Sequence, residues 1–314
     1  MKTVDQRRRR ANAPQGRRSK LKARVENRAA WLMLLPWLVG LLGITAIPML
    51  ASLVLSFTDY PMLAAPRWVG VDNYVQLFAD ARLLAALAVT FKYVFISVPL
   101  QLSFALMLAL VLNRGMSGLR FYRSAFYLPS LLGGSVAIAI LWRQVFGRDG
   151  IFNEFLSLFG VDGPSWVGNP EWALSTLIVL NVWTFGSPMV IFLAGLRQIP
   201  RELYEAGAVD GAGRVTQFFQ ITMPLLTPVV FFNLILQFIH AFQAFTPSYI
   251  VSRGTGGPVD STLFYTLYLY QQGFTQFRMG YASAMAWILL LIISLFTALS
   301  FMTSKYWVFY GDEK

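Results

Sequence analysis

ELYEAGAVDGAGRVTQFFQITMP, residues 202–224, is a polar, glycine-rich stretch that lies between two long apolar segments. Glu202 and Glu205 suit the positive end of a helix that begins near Pro200. Asp210 followed by Gly211 is a turn signal, and a second short helix is predicted after it, ending at the proline at position 224. The stretch therefore predicts a helix-turn-helix. These residues alone leave two roles open: a surface helix that packs on its own bundle, or a docking element for a partner.

The segments around this stretch are long enough to cross a membrane. The chain has 314 residues, of which 56% are hydrophobic and 13% charged, whereas a typical soluble domain has about 25% charged residues. A membrane crossing takes about 20 apolar residues in a helix. Six segments are this long, namely 31–57, 83–112, 126–146, 172–196, 224–251 and 279–303. The sequence predicts an all-α membrane protein with six transmembrane helices, kinked at internal prolines such as Pro129 and Pro188.

The positive charge is concentrated in a way that indicates membrane orientation and argues against nucleic-acid binding. Of the 26 Lys and Arg residues, eleven lie within the first 28 positions. The segments after the first and third spans are mostly acidic, with Asp59, Asp72, Asp80, Asp149, Glu154, Asp162 and Glu171 against Arg67, Arg82 and Arg148. The positive-inside rule then predicts that both termini and the loop 197–224 are cytoplasmic.

The pattern of charge and apolar segments divides the chain into three predicted parts. Residues 1–28 are predicted to be a basic cytoplasmic tail, disordered and attracted to anionic lipid. Residues 29–304 are predicted to be the six-span domain, including the loop 197–224. Residues 305–314 are predicted to be a cytoplasmic C-terminal tail.

The chain shows little chemistry of its own. It has no cysteine and one histidine, His240, so a His-rich metal site, a disulfide and a thiolate ligand are excluded. The phosphate-binding pattern GxxxxGK[ST] and the hydrolase patterns GxSxG and HExxH are absent. RGTGG, residues 253–257, is interpreted as a flexible loop. We therefore predict no catalytic residue and no metal site, and a membrane enzyme is the least favoured class.

A self-contained channel or secondary carrier is the main alternative. Secondary carriers usually place ionisable groups within the membrane, and only Lys92 and His240 lie clearly within the predicted spans. No inverted sequence repeat is visible either. The energy source is therefore expected to be another polypeptide.

EAGAVDGAGRVTQFFQITMPLLTP, residues 205–228, resembles the EAA loop of membrane subunits in bacterial ABC importers. That loop has E-A-A, two residues, D-G-A, and then an apolar residue and a proline about a dozen positions on. The residues in register are Glu205, Ala206, Asp210, Gly211, Ala212, Ile221 and Pro224. Gly207 replaces the commoner alanine and is expected to loosen the first helix slightly.

The resemblance extends to WVGVDNYVQLFAD, GIFNEFLSLFG, MGYASAMAWILLLIISLFTALSF and KYWVFY. These segments are similar to carbohydrate-uptake permeases, the group that contains the larger maltose channel subunit and the glycerol-3-phosphate permease subunit. One departure is Val89, which stands where such proteins often have asparagine.

The resemblance implies a type I ABC importer permease bundle in the bacterial inner membrane, with a cytoplasmic coupling helix. It implies that this loop docks into a cleft of an ATPase subunit through Glu202, Glu205, Ala206, Gly207, Asp210, Gly211 and Ala212. The implied partners are a second permease subunit in a heterodimer, two ATPase subunits and an extracytoplasmic binding protein. ATP and Mg²⁺ would be bound by the ATPases, and no cofactor by this chain.

A substrate pathway is expected near the middle of the membrane. Polar or aromatic residues on the fourth and fifth spans are the candidates, namely Asn181, Trp183, Thr184, Asn233, Gln237, His240 and Gln243. Amides, hydroxyls and aromatic faces suit a sugar, although the same groups could hold helices together. Because cationic groups are scarce in the spans, a neutral sugar or oligosaccharide is favoured over glycerol-3-phosphate or another polyol or phosphate.

Overall fold

The computed structural model describes residues 31–115 and 118–309, which are mostly helical. The basic tail predicted for residues 1–28 lies outside the described residues. The helices are α1 (Trp31–Ser56), α2 (Asp72–Ala79), α3 (Ala81–Asn113), α4 (Leu119–Leu132), α5 (Val136–Val145), α6 (Ile151–Ser157), α7 (Ala173–Trp183), α8 (Gly186–Leu196), α9 (Arg201–Val209), α10 (Arg214–Gln217), α11 (Met223–Phe242), α12 (Thr246–Val251), α13 (Tyr265–Tyr270) and α14 (Met279–Ser304). A short antiparallel hairpin pairs β1 (Thr58–Asp59) with β2 (Arg67–Trp68).

The chain divides after Leu55 into two compact units. The first unit contains α1, which has a π-helical turn at Leu41–Ala46. Its side chains are apolar and mostly exposed, as is typical of a helix that lies in lipid.

α3 is the central helix of the second unit and packs against α7, α8 and α11. Three alanines on this helix, Ala86, Ala105 and Ala109, are fully buried. In a membrane, the hydrophobic effect does not drive helices together. Small side chains of this kind favour association there because they let neighbouring helices approach closely. α3 therefore supplies a common surface on which α7, α8 and α11 pack.

Two of the predicted spans are broken. α4 and α5 meet at 95°, and α7 and α8 meet at 42°. The first break falls at Gly133 and Gly134, just after Pro129, and two glycines leave the backbone free to turn further than a proline kink alone would. The second break falls at Thr184, four residues before Pro188, which has no N–H to donate. Kinks at these prolines were predicted, but the first break is much sharper than a kink.

The count of spans depends on how the broken pairs are treated. Four helical segments are long and apolar enough to cross a membrane, namely Trp31–Ser56, Ala81–Asn113, Arg214–Val251 and Met279–Ser304, and the two bent pairs bring the total to as many as six. This agrees with the predicted all-α membrane architecture.

The predicted boundary at residue 224 is wrong. The short α10 does not end at Pro224 but continues through a π-helical turn, Phe218–Thr222, into α11. Pro224 occupies the first turn of α11, where its missing N–H costs little.

A polar cluster around Asp80 ties the segment between α12 and α14 to the start of α3. The carboxylate of Asp80 accepts hydrogen bonds from the hydroxyls of Tyr268, at 2.8 Å, and Tyr281, at 2.7 Å. Arg82 donates to both carboxylate oxygens of Asp260, each at 2.9 Å. Its guanidinium also lies 5.5 Å from the centre of the Tyr268 ring. We call these five residues the Asp80 cluster.

RGTGG, predicted to be a flexible loop, forms hydrogen-bonded turns beside this cluster. The N–H of Gly254 donates to the carbonyl of Tyr249 at 2.7 Å, and the N–H of Gly256 donates to Oγ of Ser252 at 2.9 Å. Both glycines have positive φ angles, 77° and 80°. The glycines thus supply backbone conformations that other residues rarely adopt.

Asp80 is held in its ionised form. Burial tends to raise its pKa, but hydrogen bonds from Tyr281, from the N–H of Leu83 and from Tyr268 outweigh burial, so the pKa lies below its usual 3.8. Burial and the adjacent carboxylate raise the pKa of Tyr268 to about 12. The ionised carboxylate therefore contributes stability above its unfolded pKa, and this contribution is lost as the pH falls through the lowered value.

We predict that Asp80→Asn lowers the melting temperature near neutral pH by roughly 2–4 °C, the change expected for about 1 kcal/mol in a chain of this size. The difference from the wild type should shrink as the pH falls below about 4, because the wild-type carboxyl then becomes protonated. Tryptophan fluorescence of the detergent-solubilised protein, followed during heating at several pH values, measures both. Asp72→Asn, at an exposed position in α2, is the control, and an equal effect of the two variants would contradict the assignment.

Candidate coupling loop and membrane cavity

α9 and α10 form the helix-turn-helix that the sequence predicts. In the turn, the N–H of Gly211 donates to the carbonyl of Ala208 at 3.1 Å, and the N–H of Ala212 donates to the carbonyl of Gly207 at 2.8 Å. Gly211 has a φ of 82°, and a side chain there would meet no atom within 4 Å. The turn thus requires a left-handed backbone at Gly211 but leaves the space around it open.

The helix-turn-helix is fastened to the base of α11. The hydroxyls of Tyr204 and Thr222 are 2.9 Å apart, and the amide of Gln217 donates to the carbonyls of Ala212 and Tyr204 at 3.1 and 3.3 Å. These bonds connect α9, the turn and the π-helical segment that leads into α11. A displacement of α9 therefore acts on the start of α11.

Gly207 has a packing role that the sequence did not reveal. A methyl group at this position would lie 3.1 Å from Cδ1 of Ile221. The glycine was expected to loosen α9, and it also lets α9 approach the segment that leads into α11 closely.

An open groove of about 820 Å³ runs beneath α9 and reaches Phe309 near the C-terminus. Of the predicted docking residues, five line it, namely Ala206, Gly207, Asp210, Gly211 and Ala212. Glu202 and Glu205 lie outside it, on the exposed surface of α9. Neither carboxylate forms an ion pair with another residue in the described ranges. The loop thus presents free carboxylates next to a largely apolar groove.

A second cavity, of about 300 Å³, lies between the break of α4 and α5, the end of α7 and the second half of α11. Four of the predicted pathway residues line it, namely Asn181, Thr184, Gln237 and His240. The remaining wall includes Tyr93, Ser130, Gly133 and Phe245. His240 is the only basic side chain among the lining residues. We call this space the membrane cavity.

The other three predicted pathway residues, Trp183, Asn233 and Gln243, do not line the membrane cavity. Asn233 is fully buried, with its amide nitrogen 3.5 Å from the carbonyl of Pro188. The ring of Trp183 packs 6.1 Å from that of Trp142. Gln243 is exposed just beyond the end of α11. Helical spacing placed Asn233 on the same face of α11 as Gln237 and His240. At the depth of Asn233, however, this face packs against α8.

Gln101 is a buried residue of this site that sequence reasoning missed. Since Pro188 has no N–H, the carbonyl of Thr184 loses its donor within the helix. The amide of Gln101 and the hydroxyl of Ser130 donate to that carbonyl at 3.2 and 2.8 Å. Gln101 also donates to Oγ1 of Thr184 at 3.0 Å and accepts from the amide of Asn181 at 3.3 Å. It therefore orients two residues of the cavity wall.

Arg143 is a further ionisable residue within the predicted spans, in addition to Lys92 and His240. Arg143 belongs to α5, where its guanidinium donates to the carbonyl of Ile250 at 3.3 Å. Since that carbonyl lies near the end of α12, the contact joins α5 to α12. Arg143 is not among the residues that line the membrane cavity.

Apolar helices, two of which are broken beside a polar cavity, are typical of membrane transport proteins. The exposed helix-turn-helix on one of these helices adds a surface suited to a partner. Fold and site together define a helical membrane transport component.

The comparisons with known proteins define the family. The sequence pattern described as "Binding-protein-dependent transport system inner membrane component" matches residues 78–305. "Probable ABC transporter permease protein YesP" of Bacillus subtilis (strain 168) is 53% identical over 293 residues, 93% of this chain and 95% of that protein. "Lactose transport system permease protein LacF" of Rhizobium radiobacter is 33% identical over 283 residues, 88% of this chain and 93% of that protein. The chain belongs to the family of binding-protein-dependent transport system inner membrane components.

The fold is confirmed by a solved structure of a bacterial alginate ABC transporter in complex with an alginate pentasaccharide-bound periplasmic protein. One of its chains has a TM-score of 0.75 to this protein at 22% identity, and the match covers 90% of this chain and 96% of that chain. The predicted importer permease fold is therefore correct, and the chain is a non-catalytic membrane component of its transport system.

We predict that Gln237→Ala impairs transport without impairing assembly. The amide of Gln237 is half-buried in the cavity wall, and no other described residue forms a hydrogen bond with it. Loss of one hydrogen bond to a solute should raise the KM for uptake by roughly two- to tenfold. Initial rates of uptake by the complete transporter in proteoliposomes measure this.

Gln243→Ala is the matched control, because Gln243 lies just past the end of the same helix, outside the cavity. Its KM should be that of the wild type. If Gln237→Ala instead lowered the yield of assembled complex and left the KM unchanged, Gln237 would be a structural residue.

Proposed function

We propose that this chain forms one half of the pore of an ATP-driven importer for a sugar or oligosaccharide that an extracytoplasmic binding protein delivers. A second, different permease subunit forms the other half, and two ATPase subunits provide the energy. ATP and Mg²⁺ bind to the ATPases, and this chain binds no cofactor.

The observation that carries the sugar assignment is the neutral polar lining of the membrane cavity. It offers the amides of Asn181 and Gln237, the hydroxyl of Thr184 and the ring of Phe245. Sugar hydroxyls need paired donors and acceptors, and the C–H faces of sugars stack on aromatic rings. LacF, whose name gives lactose as its substrate, is consistent with this choice.

Glycerol-3-phosphate, or another polyol or phosphate, is the second candidate for the same machinery. An anionic substrate favours a cationic clamp, and His240 is the only basic residue of the cavity wall. The second permease would have to supply the missing charge. A self-contained channel or carrier is not supported, since the chain belongs to a family of transport system components.

The helix-turn-helix of α9 and α10, which we call the coupling loop, is proposed to be cytoplasmic and to receive an ATPase subunit. Arg197, Arg201 and Arg214 lie within the loop 197–224, and the positive-inside rule assigns such segments to the cytoplasm, together with both termini. The free carboxylate of Glu205 would pair with a basic side chain of the ATPase, and the groove beneath α9 would take up apolar side chains.

An uninterrupted helix from Arg214 to Phe242, with a π-helical turn in it, connects the loop to the cavity. From Pro224 to Gln237 the distance along the axis is roughly 20 Å, at about 1.5 Å per residue. ATP-driven movement of the ATPases would pull on α9, and α11 would transmit the movement to the cavity wall. Inward- and outward-facing states would alternate in this way.

Copurification tests the proposed assembly. The chain carries a tag after Lys314 and is purified from gently solubilised native membranes, with untagged membranes as the control. Mass spectrometry should find a second permease and an ATPase that has its own phosphate-binding loop. Recovery of the chain alone, under conditions that preserve other importers, would contradict the proposal.

We predict that Gly211→Ala separates ATP hydrolysis from uptake. An alanine in the left-handed conformation at φ 82° costs about 1–2 kcal/mol, which corresponds to a roughly five- to thirtyfold loss of uptake if the turn must keep its shape. ATP hydrolysis by the reconstituted complex should continue, and Gly211→Asn should retain more uptake, because asparagine tolerates this conformation.

Gly213→Ala is the matched control for this variant. Gly213 is also exposed, and a methyl group added there would meet no atom within 4 Å, but its φ is −69°. Its uptake should equal that of the wild type. Undiminished uptake by Gly211→Ala, or equal losses in both variants, would show that the turn does not transmit force.

A further inference from the structure

Four aromatic rings continue from the membrane cavity toward the end of the bundle opposite the coupling loop. Phe245, in the cavity wall, has its ring centre 5.2 Å from those of both Tyr249 and Tyr270. The rings of Tyr249 and Tyr270 are 5.5 Å apart, and Phe274 follows Tyr270 at 5.1 Å. We call these four residues the aromatic track. The coupling loop precedes α11 and Phe245 follows it, so the two features lie at opposite ends of that helix.

The track differs from the aromatic core of the bundle in its exposure. In the core, Phe238 and Phe242 are 4% and 1% exposed. Along the track, Phe245, Tyr249 and Tyr270 are only half-buried, and Phe274 is 50% exposed. Each ring of the track thus keeps a surface that its neighbours do not cover.

The tyrosines of the track also differ from the neighbouring tyrosines in the hydrogen bonds that their hydroxyls form. Tyr265 donates to the carbonyl of Met285 at 2.8 Å, and Tyr268 and Tyr281 both donate to Asp80. The hydroxyls of Tyr249 and Tyr270, by contrast, form no hydrogen bond with any residue in the described ranges 31–115 and 118–309. They are therefore available to a ligand, whereas the three hydroxyls that fasten this region are not.

The track is held in a fixed arrangement. The amide of Gln271 donates to the carbonyl of Gly254 at 2.7 Å, and the N–H of Gly254 donates to the carbonyl of Tyr249 at 2.7 Å. A methyl group at Gly254 would lie only 3.2 Å from the Tyr249 ring. The Asp80 cluster anchors the same segment to α3. Binding to such a surface costs little ordering of side chains.

We propose that the aromatic track binds successive units of an oligosaccharide and guides it into the membrane cavity. The C–H faces of the sugar stack on the four rings, and its hydroxyls bond with those of Tyr249 and Tyr270. The inference rests on the proposed function and extends the sugar site from the cavity to the exposed end of the protein. The track favours sugars long enough to contact several rings at once.

Uptake by the reconstituted importer tests this inference. The probe is a mixture of lactose with arabino- and malto-oligosaccharides of increasing length, and mass spectrometry quantifies each sugar taken up. Tyr270→Leu and Phe274→Leu should each reduce uptake at low concentration by roughly two- to tenfold, the range expected for one aromatic contact. The loss should increase with sugar length, and Tyr270→Phe and Phe274→Trp should restore most of the uptake.

Phe277→Leu is the matched control. Phe277 lies on the same segment, is 46% exposed and makes no ring contact with a described residue. If the track variants lose no more than this control, or lose all sugars equally regardless of length, the track is overturned while the proposed function stands. If the wild type takes up none of the sugars, the proposed function fails and the track fails with it.

A thiol-labelling experiment covers the case in which a leucine variant does not assemble. The chain has no cysteine, so Phe274→Cys introduces a unique thiol into it. The same sugar mixture should slow labelling of this chain by a membrane-impermeant maleimide in Phe274→Cys, but not in Phe277→Cys. Labelling of Phe274→Cys that sugar does not slow, or that the assembled importer blocks even without sugar, would overturn the inference. The second result would mean that a partner subunit covers the track.

Discussion

One missing backbone hydrogen bond, at Pro188, accounts for much of the arrangement inside the second unit. The carbonyl of Thr184 has no donor within its own helix, and a carbonyl left unpaired in the membrane costs several kcal/mol. Donors must therefore come from other helices, and Gln101 on α3 and Ser130 on α4 provide them. The two broken spans are brought together at this carbonyl. Gly133 lies so close to Thr184 that a methyl group there would collide with its side chain, and the membrane cavity opens beside this junction.

A proline has a similar effect near the coupling loop. Pro228 lies inside α11 and cannot donate to the carbonyl of Pro224, which the hydroxyl of Thr227 reaches at 2.6 Å. The same hydroxyl accepts the N–H of Phe309 at 2.9 Å. The end of the described chain is thereby fixed beside the groove under α9. At both places a proline leaves a carbonyl that a polar side chain satisfies, and that side chain links separate elements.

The sequence predicted correctly those features that depend on neighbouring residues. It failed for residues whose role depends on their depth in the membrane or on the helix that packs against them. Apolar length predicted the membrane helices, and the turn signal at Gly211 predicted the helix-turn-helix, because both depend on neighbouring residues. Helical spacing placed Gln237 and His240 on one face, and both line the cavity. The same spacing included Asn233, which is buried against α8, because spacing does not show which helix covers a face. Gln101 was missed because its partners are about 80 residues away.

The segment from α10 to α12 connects the coupling loop, the membrane cavity and the aromatic track. Its first turns carry the coupling loop, its middle forms a wall of the membrane cavity, and Phe245 and Tyr249 at its far end begin the aromatic track. The two ends are anchored differently. The coupling end is exposed and follows α9, which carries free carboxylates, whereas at the far end Arg143 of α5 donates to the carbonyl of Ile250 and Ser248 donates to the carbonyl of Thr262. In the proposed mechanism, a force applied at the loop would act on a helix whose other end is held, so the displacement would be largest at the loop and would be absorbed between the two ends. The polar junction at Thr184 and the cavity beside it lie in that interval, which is where a change in shape would alter access to a bound solute.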